Sequence, residues 1–213
     1  MKARVLSLVF VFCIAFTAQA QMYEKKMAET LQMFGEAQNL NDYQKVANQF
    51  KMISNVAKAE WLPLYYHAHI HILMSFMDNS SAAKKDEYLA VAEVSIKKML
   101  ELVPNEVEAL ALQAFYYTGK LVVDPMTRGM EYGMLFGQVI TKAASIDPDN
   151  PRVRYLKLAN DVGSAPFFGK DPKVFLADAQ KLFDEWDNYK LESPLHPRWG
   201  KEQVRSTIQQ LSK

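Results

Sequence analysis

The chain has 213 residues, 49 % of them hydrophobic and 12 % aromatic, which is too apolar for intrinsic disorder and long enough to bury a substantial core. Its 25 basic and 24 acidic residues leave a formal charge of +1, which gives no whole-chain footprint for nucleic acid or an anionic membrane. Only eight glycines, with few runs of alternating β-branched residues, argue against an all-β fold.

The first segment reads as a targeting sequence. Lys2 and Arg4 make a basic start, Val5 to Phe16 is apolar, and Ala18-Gln19-Ala20 has a small-x-small cleavage pattern. The apolar run is too short to span a bilayer. Residues 1–20 are therefore expected to be a signal peptide cleaved after Ala20, and the mature chain starts at Gln21. The single cysteine, Cys13, lies inside the apolar run behind Phe12, which does not fit a lipoprotein site. The mature 193 residues then carry no cysteine and a charge of −1. Export without disulfides fits a bacterial periplasm or a secreted protein, and excludes the small disulfide scaffolds.

Beyond residue 20 the hydrophobic spacing is helical throughout. Met27, Leu31 and Phe34 mark a first helix from Tyr23 to about Glu36. Asn41-Asp42-Tyr43-Gln44 resembles a capping box before a second helix with Tyr43, Val46, Phe50 and Ile53 on one face. Trp61 to Met77 is a dense apolar run, and Ala83 to Val103 carries Leu89, Ala92, Ile96 and Met99 inward. Pro104 stops that helix, and Asn105-Glu106-Val107-Glu108 reads as a second capping box. Val107, Leu110, Ala114, Tyr117 and Leu121 form the next stripe; Asp124-Pro125 offers an N-cap and a first-turn proline for a helix reaching Ile146. An insertion is expected around Val122–Met130. Pro148 stops that helix, and Asn150-Pro151 starts another. Asp171-Pro172 starts one more, with Phe175, Ala179, Leu182 and Trp186 inward. A Pro-rich linker from Ser193 to Pro197 leads to a last helix with Val204, Ile208 and Leu211 on its apolar side.

Helix pairs separated by Pro breaks predict an all-α, tetratricopeptide-like α-α solenoid of about four hairpins over residues 21–192. Residues 193–213 supply a linker and a C-terminal capping helix packed on the repeats. Pro104 and Pro148 stand 44 residues apart, against a standard repeat of about 34, so the helices are expected to be long. VVDPMTRGMEYG, IDPDNPRVRYL, APFFGKDP and HPRWG resemble, in this order, segments of the small secreted tetratricopeptide-like proteins of Bacteroidetes-type bacteria. Leu158 stands where that family has a small residue, and Gly169-Lys170 replaces Gly-Gly. The resemblance implies a helical-repeat fold and export, and no particular activity.

Three local patterns bear on chemistry. His67, His69 and His71 alternate; on a strand they would share a face, but on a helix only His67 and His71 do. That pair lacks the Glu of HExxH and a fixed third ligand. Gly163 to Lys170 superficially resembles a phosphate loop, but has five residues between its glycines and Asp171 where Ser or Thr is needed. An inter-helix loop with Phe167 or Phe168 plugged into the core is the expected alternative. No nucleophile elbow, mature cysteine or defensible carboxylate pair occurs.

The sequence thus points to a non-enzymatic periplasmic module that binds a protein or peptide along the concave face, without a cofactor, nucleic acid or membrane insertion of the mature chain. Repeat register places Glu108, Phe115 and Thr118 on that face in the third pair, Arg152 and Tyr155 in the fourth, and His67 and His71 in the second. The competing expectation is a metal-binding protein or metal-dependent enzyme centred on His67 and His71, which requires a third ligand beside them.

Overall fold

The computed structural model describes residues 20–213; the basic start and apolar run of the expected signal peptide lie outside the described residues. The chain is built of helices and their connections, with no strand among the described residues. In chain order the helices are α1 (20–36), α2 (Leu40–Val56), α3 (Leu62–Met77), α4 (Ala82–Leu102), α5 (Val107–Val123), α6 (Pro125–Ile146), α7 (Pro151–Ser164), α8 (Leu176–Glu185) and α9 (Lys201–Leu211). Short 3₁₀ turns at Ala165–Phe168, Pro172–Phe175 and Trp186–Asn188 bracket α8. Neighbouring helices pack in pairs, α3 on α4 and α5 on α6 most extensively, and the pairs stack into a solenoid-like array. No helix among the described residues is long and apolar enough to cross a membrane.

The breaks arise from capping chemistry. Asn150 accepts hydrogen bonds from the backbone N–H groups of Arg152 and Val153, with Pro151 in the first turn. Asp124 accepts from Thr127, again just before a proline. Two caps fall elsewhere than expected. Asn39, not Asn41, opens α2 by accepting from Asn41 and Asp42. Glu106 rather than Asn105 opens α5, its carboxylate accepting from the N–H of Glu108. The insertion expected near Val122–Met130 is absent, because α5 runs to Val123 and α6 begins at Pro125. Asp86 of α4 fastens the start of α6 by accepting from both guanidinium N–H₂ groups of Arg128, at 2.8 and 2.7 Å, and from Lys120 at 2.9 Å.

The array is built around α3. Trp61–Met77 contains no charged residue, and most of the helix is buried, on every side; a helix apolar all round has to lie inside. Around it, Met27, Phe50, Leu89, Met99 and Leu112 form the largest core. A second core joins α5, α6 and α7 through Leu110, Phe136, Ile140 and Leu156, and a third joins α7, α8 and α9 through Leu158, Leu182, Trp186 and Val204. The segment between α8 and α9 does not trail outward. It runs back along the array as a strap, and the hydroxyl of Tyr66 on α3 donates to the carbonyl of Leu195 at 2.7 Å.

Phe167 and Phe168 do not plug into the core. They are 82 % and 75 % exposed on a tight turn, because the 3₁₀ turn ends in Gly169 at φ 66°, where the chain reverses before both rings can fold under it.

Candidate aromatic cleft

Where the strap crosses the array it leaves a cleft of about 680 Å³. Leu31 and Phe34 of α1, Tyr43 of α2, Tyr66, His69 and Leu73 of α3, Phe115 of α5 and Tyr155 of α7 make its walls. Pro194, Leu195, His196, Arg198 and Trp199 of the strap close one side, and Gln203 of α9 adds an amide. Six helices and a loop thus converge on one concave, mainly apolar space, of a size typical of small-molecule sites (roughly 300–1,000 Å³).

Trp199 organises the wall. Its ring lies 5.4 Å from Phe115 and nearly parallel to it, 5.1 Å from His69, and edge-on to Tyr155 at 6.2 Å. Its indole N–H donates to the hydroxyl of Tyr65 at 2.7 Å, so the one polar atom of the ring is satisfied inside the array. The next residue, Gly200, has φ 116°, and a Cβ there would lie 2.4 Å from the Trp186 ring. Glycine therefore lets the strap press against Trp186 and turn directly into α9.

His69 sits at the base of the wall, 3 % exposed, with Phe34, Tyr65, Phe115 and Trp199 rings around it at 5.1 to 6.0 Å. Burial pulls its pKa down to about 3, so the imidazole is neutral at physiological pH. Its Nδ1 has no hydrogen-bond partner among the described residues.

The residues singled out in the sequence, Thr118 apart, divide into three sets. Phe115 and Tyr155 both line the cleft, joined through Trp199. Glu108 and Arg152 meet each other instead: the Arg152 Nε–H and one N–H₂ donate to the two carboxylate oxygens of Glu108, both side chains almost fully buried. Asn150 donates to the same carboxylate at 2.7 Å, which leaves this pair fastening α5 to α7. Thr118 returns its hydroxyl to the carbonyl of Ala114, one turn back.

His67 and His71 form the third set, on the side of α3 facing away from His69. Their rings lie 4.5 Å apart; His67 Nδ1 is 2.8 Å from the Ser95 hydroxyl and His71 Nδ1 is 2.8 Å from the carbonyl of His67. The third ligand that a metal centre needs is missing: no cluster of three His, Cys, Asp or Glu able to hold a metal occurs among the described residues. The pair is buried packing with satisfied Nδ1 atoms.

Phe34, Tyr66, His69 and Trp199 are cleft residues that repeat register does not single out. HPRWG stands out as a motif, but nothing in its spacing tells that a strap residue returns over α3 and α5.

Fold and cleft together define an all-α, solenoid-like array with an aromatic cleft beside its strap. No protein-family profile matches the chain, and no curated protein is similar to it. Among solved structures, the HusA haemophore from Porphyromonas gingivalis shares the fold, with a TM-score of 0.72 and 23 % identity over 90 % of this chain and 92 % of that one. At that identity the likeness establishes the architecture.

Proposed function

We propose that the chain is an exported, non-enzymatic carrier that takes one flat, apolar, aromatic ligand of the porphyrin class in the cleft. The carrying observation is the cleft itself, about 680 Å³ and walled by the rings of Phe34, Tyr43, Tyr66, Phe115, Tyr155 and Trp199. Planar rings reward a planar guest, because stacked and edge-on contacts add about 0.5–1.5 kcal/mol each beyond the area they bury. Arg198 is exposed, and with His196 it supplies hydrogen-bond donors that suit carboxylates on the rim of such a ligand. His69 presents a neutral imidazole, but four surrounding rings enclose it, so stacking and burial supply the affinity. The fold shared with a protein described as a haemophore favours the same ligand class, and the signal-like residues 1–20 favour export.

The test is an absorbance and tryptophan-fluorescence titration with haemin and, separately, metal-free protoporphyrin. Saturable one-to-one binding of either is expected, weakened roughly tenfold or more by Phe115→Ala/Tyr155→Ala through two lost ring contacts. A folded wild type that shifts neither spectrum overturns the proposal. A peptide anchored by an aromatic side chain is the second reading; the amides of Gln32 and Gln203 beside the rings favour it. Peptide binding that survives saturation of the cleft with porphyrin would place that peptide elsewhere.

A further inference from the structure

The turn between α7 and α8 departs from the rule that bulky apolar side chains pack. Phe167, Phe168 and Val174 are 82 %, 75 % and 64 % exposed, and Pro166 between the buried Ala165 and these rings is exposed as well. They are held out rigidly. The N–H of Gly169 donates to the carbonyl of Pro166 at 3.1 Å, that of Lys170 to the carbonyl of Ala165 at 2.9 Å, and Pro166 and Pro172 fix the chain on either side. Lys170 and Lys173 flank the rings and are exposed, with no ion pair to any described residue. Asp171, between them, accepts the N–H of Lys173 at 2.9 Å, and the two lysines and one aspartate give residues 165–175 a formal charge of +1.

We infer that this turn is a membrane-docking finger, which seats the protein on an anionic lipid surface without crossing it. Two features favour lipid over a protein partner. The order along the chain, two exposed rings followed by two exposed lysines, is that of side chains dipping into the acyl boundary while lysines stay at the headgroups. The turn is already ordered, so docking costs no folding of the loop. The near-zero charge of the whole chain is no obstacle, because only charges within about a Debye length of the surface, about 8–10 Å, are felt. The inference does not depend on the cleft's ligand, although an apolar cargo carrier gains from reaching a membrane.

Sedimentation with vesicles tests it, using the chain beginning at Gln21 so that the apolar run 5–16 does not itself bind. The wild type is expected to partition onto vesicles of phosphatidylcholine with one-third phosphatidylglycerol, and less onto phosphatidylcholine alone. Phe167→Ser/Phe168→Ser should lower the partition coefficient at least tenfold, since each ring withdraws apolar area from water. Lys170→Gln and Lys173→Gln should each lower it about fivefold on the anionic vesicles only. All four positions are exposed, so unchanged far-UV circular dichroism and melting temperature are required of each variant. No vesicle binding by the wild type, or equal binding by the double Phe variant, overturns the inference. Porphyrin titration of the same variants separates it from the cleft proposal: they should bind ligand as the wild type does.

Discussion

The buried pair Glu108–Arg152 gives the most decisive test of how the array is held together. Arg152 is 1 % exposed and is bound through two N–H groups to one carboxylate, which also accepts from Asn150. Removing Arg152 as Arg152→Met leaves Glu108 charged in the interior with only the Asn150 amide as donor. Breaking a buried pair in this way costs about 3–5 kcal/mol. Glu108→Leu leaves the guanidinium with the face of Tyr189, 6.0 Å away, as its nearest compensation, and a similar loss is expected. The double variant Glu108→Leu/Arg152→Met removes both charges and fills the space with apolar atoms, so its loss should stay under about 2 kcal/mol. The coupling energy between the two positions is then at least about 4 kcal/mol. Urea unfolding followed by circular dichroism reads this directly: with a slope of about 2–3 kcal/mol per molar, each single variant should shift the midpoint down by about 1–2 M and the double by less than 1 M. Additive losses, with the double variant worse than either single one, would refute the reasoning and return both residues to the surface role that the sequence register gave them.

Two further outcomes concern the strap and the histidines. Gly200→Ala combines a φ of 116° with a Cβ 2.4 Å from Trp186; a loss of about 2–4 kcal/mol is expected, with porphyrin affinity falling because Trp199 moves, and an unchanged melting temperature would contradict the close approach. Burial holds His67 and His69 down to about 3, while the unfolded chain protonates them near 6.5. Their folded pKa values are depressed, so their contribution is complete above pH 6.5. It is lost as pH falls from there toward 3, by up to about 1.4 kcal/mol per pH unit for each. His67→Gln should flatten the stability profile between pH 6 and 4, measured by urea midpoints across that range, and an unaltered slope would show that His67 is already protonated in the fold.

Much of the architecture was legible because it is written in local chemistry. The 3.6-residue stripes, the Asp-Pro and Asn-Pro helix starts and the Pro stops set the helices to within a few residues; Asn39 and Glu106 displaced the expected caps because neighbouring polar residues compete for the same free N–H groups. The charge-free run Trp61–Met77 announced a buried helix, though not that the array would close around it. The cleft was legible only in part. Phe115 and Tyr155 follow from repeat register, which is periodic and so readable. Glu108 and Arg152 obey the same register, yet 44 positions apart they found each other, because two opposite charges leaving water together lose less than either does alone. Phe167 and Phe168 look like core residues by composition, and only the left-handed turn at Gly169 decides that they face outward. What the sequence by itself determined was the set of helices and their apolar faces, since hydrogen bonds and hydrophobic periodicity act over a few residues. What only the tertiary structure decided was the path of residues 189–200 back across α3, with Trp199 bonded to Tyr65 at a separation of 134 residues; a strap without periodicity takes its course from the surface it lands on, and that surface exists only once α1, α3, α5 and α7 have packed.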